Sequence, residues 1–187
     1  MNYEEFIQSK RITVKPSGFE VDPAATNRQL FPFQRDIVRW ALRRGKAAVF
    51  ADCGLGKTPM QLEWAQKVVE NTGENVLILA PLAVSQQTAR EGEKFGITVN
   101  ICKTSKDVQP GINIANYERL HHFSPDQFGG IVLDESSILK AQFGLMRHEI
   151  TEFGKPIPYR LAASATPAPN DLVELINHAE FFGIMSE

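Results

Sequence analysis

The chain has 187 residues, enough for one globular domain and hardly enough for two. Its 43% hydrophobic and 22% charged residues are typical of a soluble domain and exclude disordered, collagen-like and coiled-coil proteins. The 20 Lys and Arg against 22 Asp and Glu give a net charge of −2. That balance argues against binding of nucleic acid by bulk charge alone, but it leaves room for a few basic residues in one groove.

Compartment and targeting are indicated by what the sequence lacks. Two cysteines, Cys53 and Cys102, are too few for a disulfide framework, and their spacing does not suggest a metal site. Glu4 and Glu5 stand where a secretory signal would carry basic residues, and no apolar run approaches the ~18 residues needed to cross a bilayer. We therefore expect a cytoplasmic protein without a membrane partner.

The hydrophobic pattern divides the chain into an N-terminal extension, residues 1–30, and a single domain, residues 31–187. In the extension, residues 11–15 and 18–22 alternate in polarity around a turn and predict a hairpin. The domain is predicted to contain helices over 33–44, 57–70, 84–94 and 171–180, and strands over 46–51, 75–80, 96–102, 111–115, 130–134 and 159–163. Short apolar strands that alternate with helices predict an α/β fold with a parallel sheet covered on both faces.

A glycine-rich loop follows the first predicted strand and precedes a helix; it reads Ala51, Asp52, Cys53, Gly54, Leu55, Gly56, Lys57 and Thr58. Gly54 and Gly56 allow backbone angles that point successive N–H groups at phosphate oxygens, and the helix directs its positive end to the same place. Lys57 is expected to neutralise the β- and γ-phosphates, and the Thr58 hydroxyl to bind Mg²⁺. We call residues 51–58 the phosphate loop and predict that residues 54–58, Leu55 included, bind ATP.

Two acids stand at the end of the apolar strand 130–134, where the sequence continues as Asp134, Glu135, Ser136 and Ser137 (the acidic box). Ligands of parallel sheets bind at the carboxyl ends of the strands. Asp134 is therefore expected to hold Mg²⁺ through a water, and Glu135 to polarise the water that attacks the γ-phosphate. By itself, such a pair could equally cap a helix.

Three segments together resemble the motifs of superfamily-2 helicases and translocases: the phosphate loop, the acidic box, and Ser164-Ala165-Thr166 (the Ser-Ala-Thr segment). The resemblance covers about residues 31–182. It implies a RecA-like P-loop NTPase fold that uses ATP and Mg²⁺. It also implies that the Ser-Ala-Thr segment links the ATP site to a nucleic-acid site.

The flanking residues narrow the resemblance. Leu139-Lys140 and residues 166–175 look like segments of Swi/Snf-type remodeller ATPases, and Asn116-Tyr117-Glu118 is similar to the Thr-Tyr-Glu element of that group. The Asp-Glu-Ser-Ser form of the acidic box looks like that of helicase-like ATPases of bacteriophages and prophages. Among these positions, Asn116 and Tyr117 are our candidates for contact with nucleic acid.

Two upstream segments also resemble family motifs. Gln34, after Phe31-Pro32-Phe33, is similar to the glutamine motif, which implies that its amide reads the adenine edge while an aromatic ring packs on the base. Pro81 and Leu82 look like the element that contacts the sugar-phosphate backbone. The alternatives are a solvated helix residue for Gln34 and an ordinary turn for Pro81-Leu82.

The resemblance further implies a partner. Superfamily-2 motors hydrolyse ATP between two RecA-like domains, and the second domain supplies an arginine finger. The sequence after Thr166 is too short for that domain, so we expect it in a longer chain or in a partner chain, with weak turnover without it. The expected function is the ATP-binding half of a DNA-dependent helicase or translocase; duplex DNA is favoured and RNA is left open. The alternatives are the motor subunit of a restriction-type nuclease and a nucleotide-gated binding module without turnover.

Overall fold

The computed structural model describes residues 14–139, 144–167 and 174–184. The helices are α1 (Pro32–Arg44), α2 (Lys57–Thr72), α3 (Ser85–Lys94), α4 (Gly144–Gly154) and α5 (Glu174–Phe181). The strands are β1 (Lys46–Phe50), β2 (Asn75–Ala80), β3 (Val99–Ile101), β4 (Ile112–Asn116), β5 (Phe128–Asp134) and β6 (Tyr159–Ser164). Short 3₁₀ turns lie in the connections; one of them, Ser136–Leu139, follows the acidic pair.

The six strands form one sheet in the order β1-β6-β5-β2-β4-β3, and every neighbouring pair is parallel. This confirms the predicted α/β class. Strand β2 shows how the two faces are built, because successive side chains of a strand point to opposite faces. Val76 and Ile78 pack in a hydrophobic cluster with α1 and α2, whereas Leu77 and Leu79 pack in a second cluster with α4 and α5. The sheet is therefore buried on both sides.

The predicted N-terminal hairpin is not seen in the described residues. Residues 14–22 have irregular backbone, and residues 11–13 of the other arm lie outside the described part of the chain. The N–H groups of Ser17, Gly18 and Phe19 instead donate to the carbonyls of residues 44, 43 and 42 at the end of α1. Because these donors are used to fasten the segment to the helix, they are not available for pairing between two strands.

Other element bounds differ from the predictions in informative ways. The strand expected over 96–102 shrinks to Val99–Ile101, and helix α4 was not predicted at all. The helix expected over 171–180 is described from Glu174 to Phe181, and residues 171–173 lie outside the described residues. Among the described residues, none of the helices is both long enough and apolar enough to span a bilayer.

A buried arginine joins helix α5 to the start of β6. Arg160 is 3% exposed, and its guanidinium donates to three backbone carbonyls, those of Lys155 (2.6 Å), Ile157 (2.9 Å) and Phe181. Its guanidinium carbon also lies 5.9 Å from the centre of the Phe181 ring, within reach of a cation–π contact. Burial lowers the pKa of Arg160, and the three carbonyls compensate the charge. Arg160 therefore joins α5 to the strand that ends in the Ser-Ala-Thr segment.

Replacing this side chain tests that role. Arg160→Leu removes the donor of three backbone carbonyls, and we expect the free energy of unfolding to fall by about 2–4 kcal/mol. The matched control is Arg43→Leu, because the Arg43 side chain is 53% exposed and only reaches Glu20 at 3.8 Å. Urea denaturation measures both variants. Equal stability of the two variants would contradict the structural role of Arg160.

Candidate nucleotide-binding site

The register of the sheet places three predicted motifs side by side. Phe50, the last residue of β1, pairs with Ser164 of β6, and Asp134 of β5 pairs with Ala163 of β6. Because β1, β6 and β5 are neighbours and parallel, the phosphate loop, the Ser-Ala-Thr segment and the acidic box all leave the sheet at the same edge. Motifs that lie between about 30 and about 110 residues apart in sequence are therefore brought together at one edge.

The phosphate loop has the backbone that phosphate binding requires. Gly54 and Gly56 have φ values of 82° and 75°, in the left-handed region that favours glycine. Helix α2 begins at Lys57, so its N-terminus faces the loop. The Lys57 ammonium lies back over the loop and donates to the carbonyls of Ala51 (3.0 Å) and Asp52 (3.3 Å). The loop is thus folded around the lysine that is expected to bind phosphate.

Gln34 supports the loop from the side of α1. Its Oε1 accepts from the Phe31 N–H (2.9 Å), and its Nε2 donates to the Leu55 carbonyl in the loop (3.0 Å). Gln34 is buried, so the alternative of a solvated helix residue is wrong. Both ends of the amide are engaged by protein groups. Recognition of adenine by Gln34 stays a prediction, and it would require one of these bonds to be exchanged.

The rings beside Gln34 are available for a stacking contact. Phe31 is 65% exposed and Phe33 is 45% exposed. The two rings are nearly parallel, with an angle of 8° between their planes and 6.1 Å between their centres. Large exposed aromatic side chains next to a site are common where an aromatic ligand binds.

Asp134 is a buried carboxylate at the end of β5. Its Oδ1 accepts from Gln61 Nε2 (2.8 Å), and its backbone carbonyl accepts from the Tyr117 hydroxyl (2.7 Å). Burial raises the pKa of Asp134, although the bond from Gln61 and the charge of Lys57 act in the opposite direction. The other amide atom of Gln61, Oε1, is buried without a partner among the described residues. The edge of the sheet thus holds buried polar groups that only partly satisfy one another.

These residues fit a magnesium ion bound together with phosphate. Thr58 lies half-buried in the first turn of α2, and Asp134 supplies a carboxylate that a divalent cation would compensate. Mg²⁺ prefers oxygen ligands and is commonly held by one or two protein groups plus substrate phosphates. The described residues contain no group of three or more His, Cys, Asp or Glu that could hold a metal by themselves.

Glu135 has an unusual backbone. Its φ is 53°, the one positive value among the non-glycine residues that the structure describes. Such a conformation is strained for a residue with a side chain and persists only where the surroundings hold it. The next residue, Ser136, is buried, and its Oγ lies 3.0 Å from Nε2 of His178 on α5. The acidic box is therefore held by a helix that follows the Ser-Ala-Thr segment.

The Ser-Ala-Thr segment contacts the phosphate loop through its backbone. The Ser164 carbonyl accepts from the Ala51 N–H (3.2 Å), and the Ser164 Oγ accepts from the Thr166 N–H (3.0 Å). Ser164 is buried, Ala165 is half-buried and Thr166 is exposed. A movement of this segment would thus displace the first residue of the phosphate loop.

The four candidates for nucleic-acid contact lie at the ends of β2 and β4, two neighbouring strands. Leu82 is 72% exposed and Pro81 is half-buried, so this turn is open to a ligand. Asn116 is buried, and its Oδ1 has no partner among the described residues. Tyr117 is buried and uses its hydroxyl on Asp134, so the structure places it beneath the surface as a support of the acidic box.

Three residues of the site were not anticipated from the sequence. Gln61 lies four residues after Lys57, one helical turn along the same face, and that spacing was a usable signal. Asn177 and His178 contact the 136–139 turn from α5. Nothing in their local sequence indicates those contacts, which arise from packing of distant elements.

Comparisons with known proteins define the fold. The chain matches no protein-family profile and no curated protein sequence. Among solved structures it is similar to the Sulfolobus solfataricus SWI2/SNF2 ATPase core in complex with dsDNA, with a TM-score of 0.70 and 19% identity over 89% of this chain and 38% of that one. It is also similar to the Pyrococcus furiosus Hef helicase domain, with a TM-score of 0.71 and 18% identity over 86% and 39% of the two chains.

A third similar structure is the UvsW helicase from bacteriophage T4, with a TM-score of 0.67 and 15% identity over 95% of this chain and 65% of that one. The fold is RecA-like. Its six-stranded parallel sheet matches that of helicase and SWI2/SNF2 ATPase cores. The RecA-like chain spans about two fifths of the length of the first two structures and about two thirds of the third.

The two glycines of the phosphate loop give a matched test. A Cβ at Gly54 would meet nothing within 4 Å, whereas a Cβ at Gly56 would lie 2.3 Å from Nε2 of Gln34. Both alanine variants bear the cost of a left-handed residue, about 1–2 kcal/mol. Gly56→Ala should lose about 2 kcal/mol more in thermal unfolding, because it also displaces the two Gln34 hydrogen bonds. Equal melting temperatures would contradict the role of Gln34 as a support of the loop.

Proposed function

We propose that this chain is the ATP-binding half of a DNA-dependent ATPase of the helicase or translocase type, which couples ATP hydrolysis to movement on duplex DNA. The observation that carries the proposal is the meeting of the phosphate loop, the acidic box and the Ser-Ala-Thr segment at one edge of a parallel sheet. A nucleotide bound there would touch all three, so that hydrolysis could be sensed by the segment that leads out of the site.

Each residue has a role that follows from its position. The Lys57 ammonium would exchange the carbonyls of Ala51 and Asp52 for phosphate oxygens, with a gain in charge pairing. Thr58 and Asp134 would hold Mg²⁺, which supplies neutralisation of the phosphate charge. The Glu135 carboxylate would accept a proton from the attacking water while orienting it in line with the bond that breaks.

DNA is proposed as the partner on two grounds. One of the similar structures is an ATPase core in complex with dsDNA, and two others are described as helicases. In this chain, the Pro81-Leu82 turn with its exposed Leu82 lies at the same sheet edge as the candidate nucleotide site, beside the end of β4. The Asp-Glu-Ser-Ser form of the acidic box and the similarity to the T4 helicase favour a phage or prophage relative.

A second RecA-like domain is part of the proposal. Arg160 lies at the amino-terminal end of β6, opposite the end that carries the candidate site. Its guanidinium donates to three backbone carbonyls, so it is not placed to act on phosphate. An arginine finger contributes ~10³–10⁵ to the rate of phosphoryl transfer. We therefore expect slow turnover by this half alone and fast turnover where a second domain closes over the nucleotide.

Nucleotide binding can be followed through Cys53, an exposed thiol within the phosphate loop. Cys102 should not react with the alkylating reagent, because it is buried and burial raises its pKa to about 11. We expect MgATP to slow alkylation of Cys53 at least about tenfold in the wild type. Lys57→Ala should lose this protection, because the loss of a charged phosphate contact costs about 2–3 kcal/mol of binding.

The control for this experiment is Lys94→Ala, which removes an exposed lysine at the far end of α3 and should leave the protection unchanged. A Cys53→Ser variant should incorporate no label under native conditions. Protection of Cys53 that persists in Lys57→Ala, or that is absent from the wild type, would contradict the assignment of the phosphate loop.

Glu135→Gln tests the chemistry separately from binding. Its carboxylate is removed while its shape is kept, so nucleotide affinity measured by Cys53 protection should change less than about twofold. The assay uses this chain together with the proposed second RecA-like domain, in the presence of duplex DNA. Under those conditions the rate of ATP hydrolysis should fall at least about 100-fold, in line with loss of a general base. If Glu135→Gln retains ATP hydrolysis, Glu135 is not the base. If the rate of hydrolysis by the wild type is the same with and without duplex DNA, the proposed motor function is contradicted.

A further inference from the structure

The backbone of Glu135 is held from both sides by side chains of other elements. On its N-terminal side, the carbonyl of Asp134 accepts from the Tyr117 hydroxyl (2.7 Å). On its C-terminal side, the Oγ of Ser136 lies 3.0 Å from Nε2 of His178. The two contacts flank the residue whose φ is 53°. A strained backbone needs such support, because relaxation of φ to negative values would otherwise be favourable.

Tyr117 makes its contact from the end of β4. It is buried, and burial together with the charges of Asp134 and Glu135 raises its pKa, so the hydroxyl keeps its proton and donates. The hydrogen bond joins the residue that follows β4 to the peptide unit between Asp134 and Glu135. An element that ends beside the candidate nucleic-acid turn at Leu82 is thereby connected to the acidic box.

His178 makes its contact from α5. It is buried, and its ring stands edge-on to Phe50, with 5.3 Å between the ring centres and 85° between the planes. Phe50 is the last residue of β1 before the phosphate loop. The neighbouring Asn177 donates from Nδ2 to the carbonyl of Leu139 (2.7 Å), at the end of the 136–139 turn. Two successive residues of α5 therefore fix the turn that follows Glu135.

We propose that Tyr117 and His178 are positioning residues for Glu135, and that they hold its carboxylate in the geometry needed to activate water. This inference rests on the proposed function of the site. It gives the buried Tyr117 a role in place of direct contact with nucleic acid. The contacts of Tyr117 and His178 described above join them to the acidic box, so we expect the pair to act on the chemical step while the loop sets the nucleotide affinity.

Two substitutions remove the support atom by atom. Tyr117→Phe deletes the hydroxyl that binds the Asp134 carbonyl, and Ser136→Ala deletes the hydroxyl that faces His178. Misplacement of a catalytic group by about 1 Å costs up to about 100-fold in rate. We expect each variant to lower kcat by about 10- to 100-fold, measured with duplex DNA on this chain together with the proposed second domain. KM and the protection of Cys53 by MgATP should change less than about twofold.

The matched controls carry the same chemical change at the edge of the sheet where the strands begin, opposite the candidate site. They are Tyr159→Phe, at the start of β6, and Ser17→Ala, whose Oγ reaches only the carbonyl of Arg44. Both should keep wild-type kcat. Thermal unfolding of all four variants excludes a loss of kcat through unfolding at the assay temperature.

A double-mutant cycle with Glu135→Gln separates positioning from a general structural effect. If Tyr117 acts through the Glu135 carboxylate, Tyr117→Phe should change the residual single-turnover rate of Glu135→Gln by less than about twofold. An additive 10- to 100-fold loss in that background would overturn the proposal, as would wild-type kcat in both single variants. If Glu135→Gln itself retains turnover, the proposed function fails at the base, independently of the positioning residues.

Discussion

All six strands in the described part of the chain run in the same direction, and the candidate site depends on that single constraint. In an all-parallel sheet the carboxyl ends of neighbouring strands are flush, so residues that end β1, β6 and β5 become neighbours regardless of their distance in sequence. The helices that return the chain cover both faces and leave this edge open. The loops at the edge can therefore carry polar groups that the interior of the sheet would not accept.

This edge of the sheet carries several groups that cost the fold stability. Asp134 is a carboxylate in a place that disfavours its charge, Gln61 has one buried amide oxygen without a described partner, and Glu135 holds a strained backbone. Polar groups of this kind cost stability in the fold and are tolerated where they do chemistry. The hydrophobic clusters under the two faces, with Trp64 and Leu62 fully buried, supply the stability that offsets that cost.

The positions of most strands along the chain and the phosphate loop could be predicted from sequence because their signals are local; the order of the strands in the sheet could not. Strand β2 is a short apolar run bounded by turn residues, and Gly54 and Gly56 permit the left-handed backbone angles that the loop before Lys57 adopts. Helix α4 was missed although Met146, Ile150 and Phe153 recur at helical spacing and pack in the second hydrophobic cluster; the segment begins at Gly144, and glycine is a weak helix former. Tyr117 was a candidate for contact with nucleic acid because Asn116-Tyr117-Glu118 resembles an element of remodeller ATPases. Its burial and its hydrogen bond to Asp134 depend on strands β4 and β5 both pairing with β2, which no local pattern reports.

The arrangement of Lys57 has a consequence for which small molecules the site accepts. Its ammonium is satisfied by the carbonyls of Ala51 and Asp52, and the loop around it is already supported by Gln34. A ligand must therefore offer something better than two neutral carbonyls before the lysine turns toward it. Anionic phosphate oxygens meet that condition, and the hydroxyls of a nucleoside do not. In the proposed function the resting loop would discriminate by charge, and the aromatic pair at Phe31 and Phe33 would add a preference for the base.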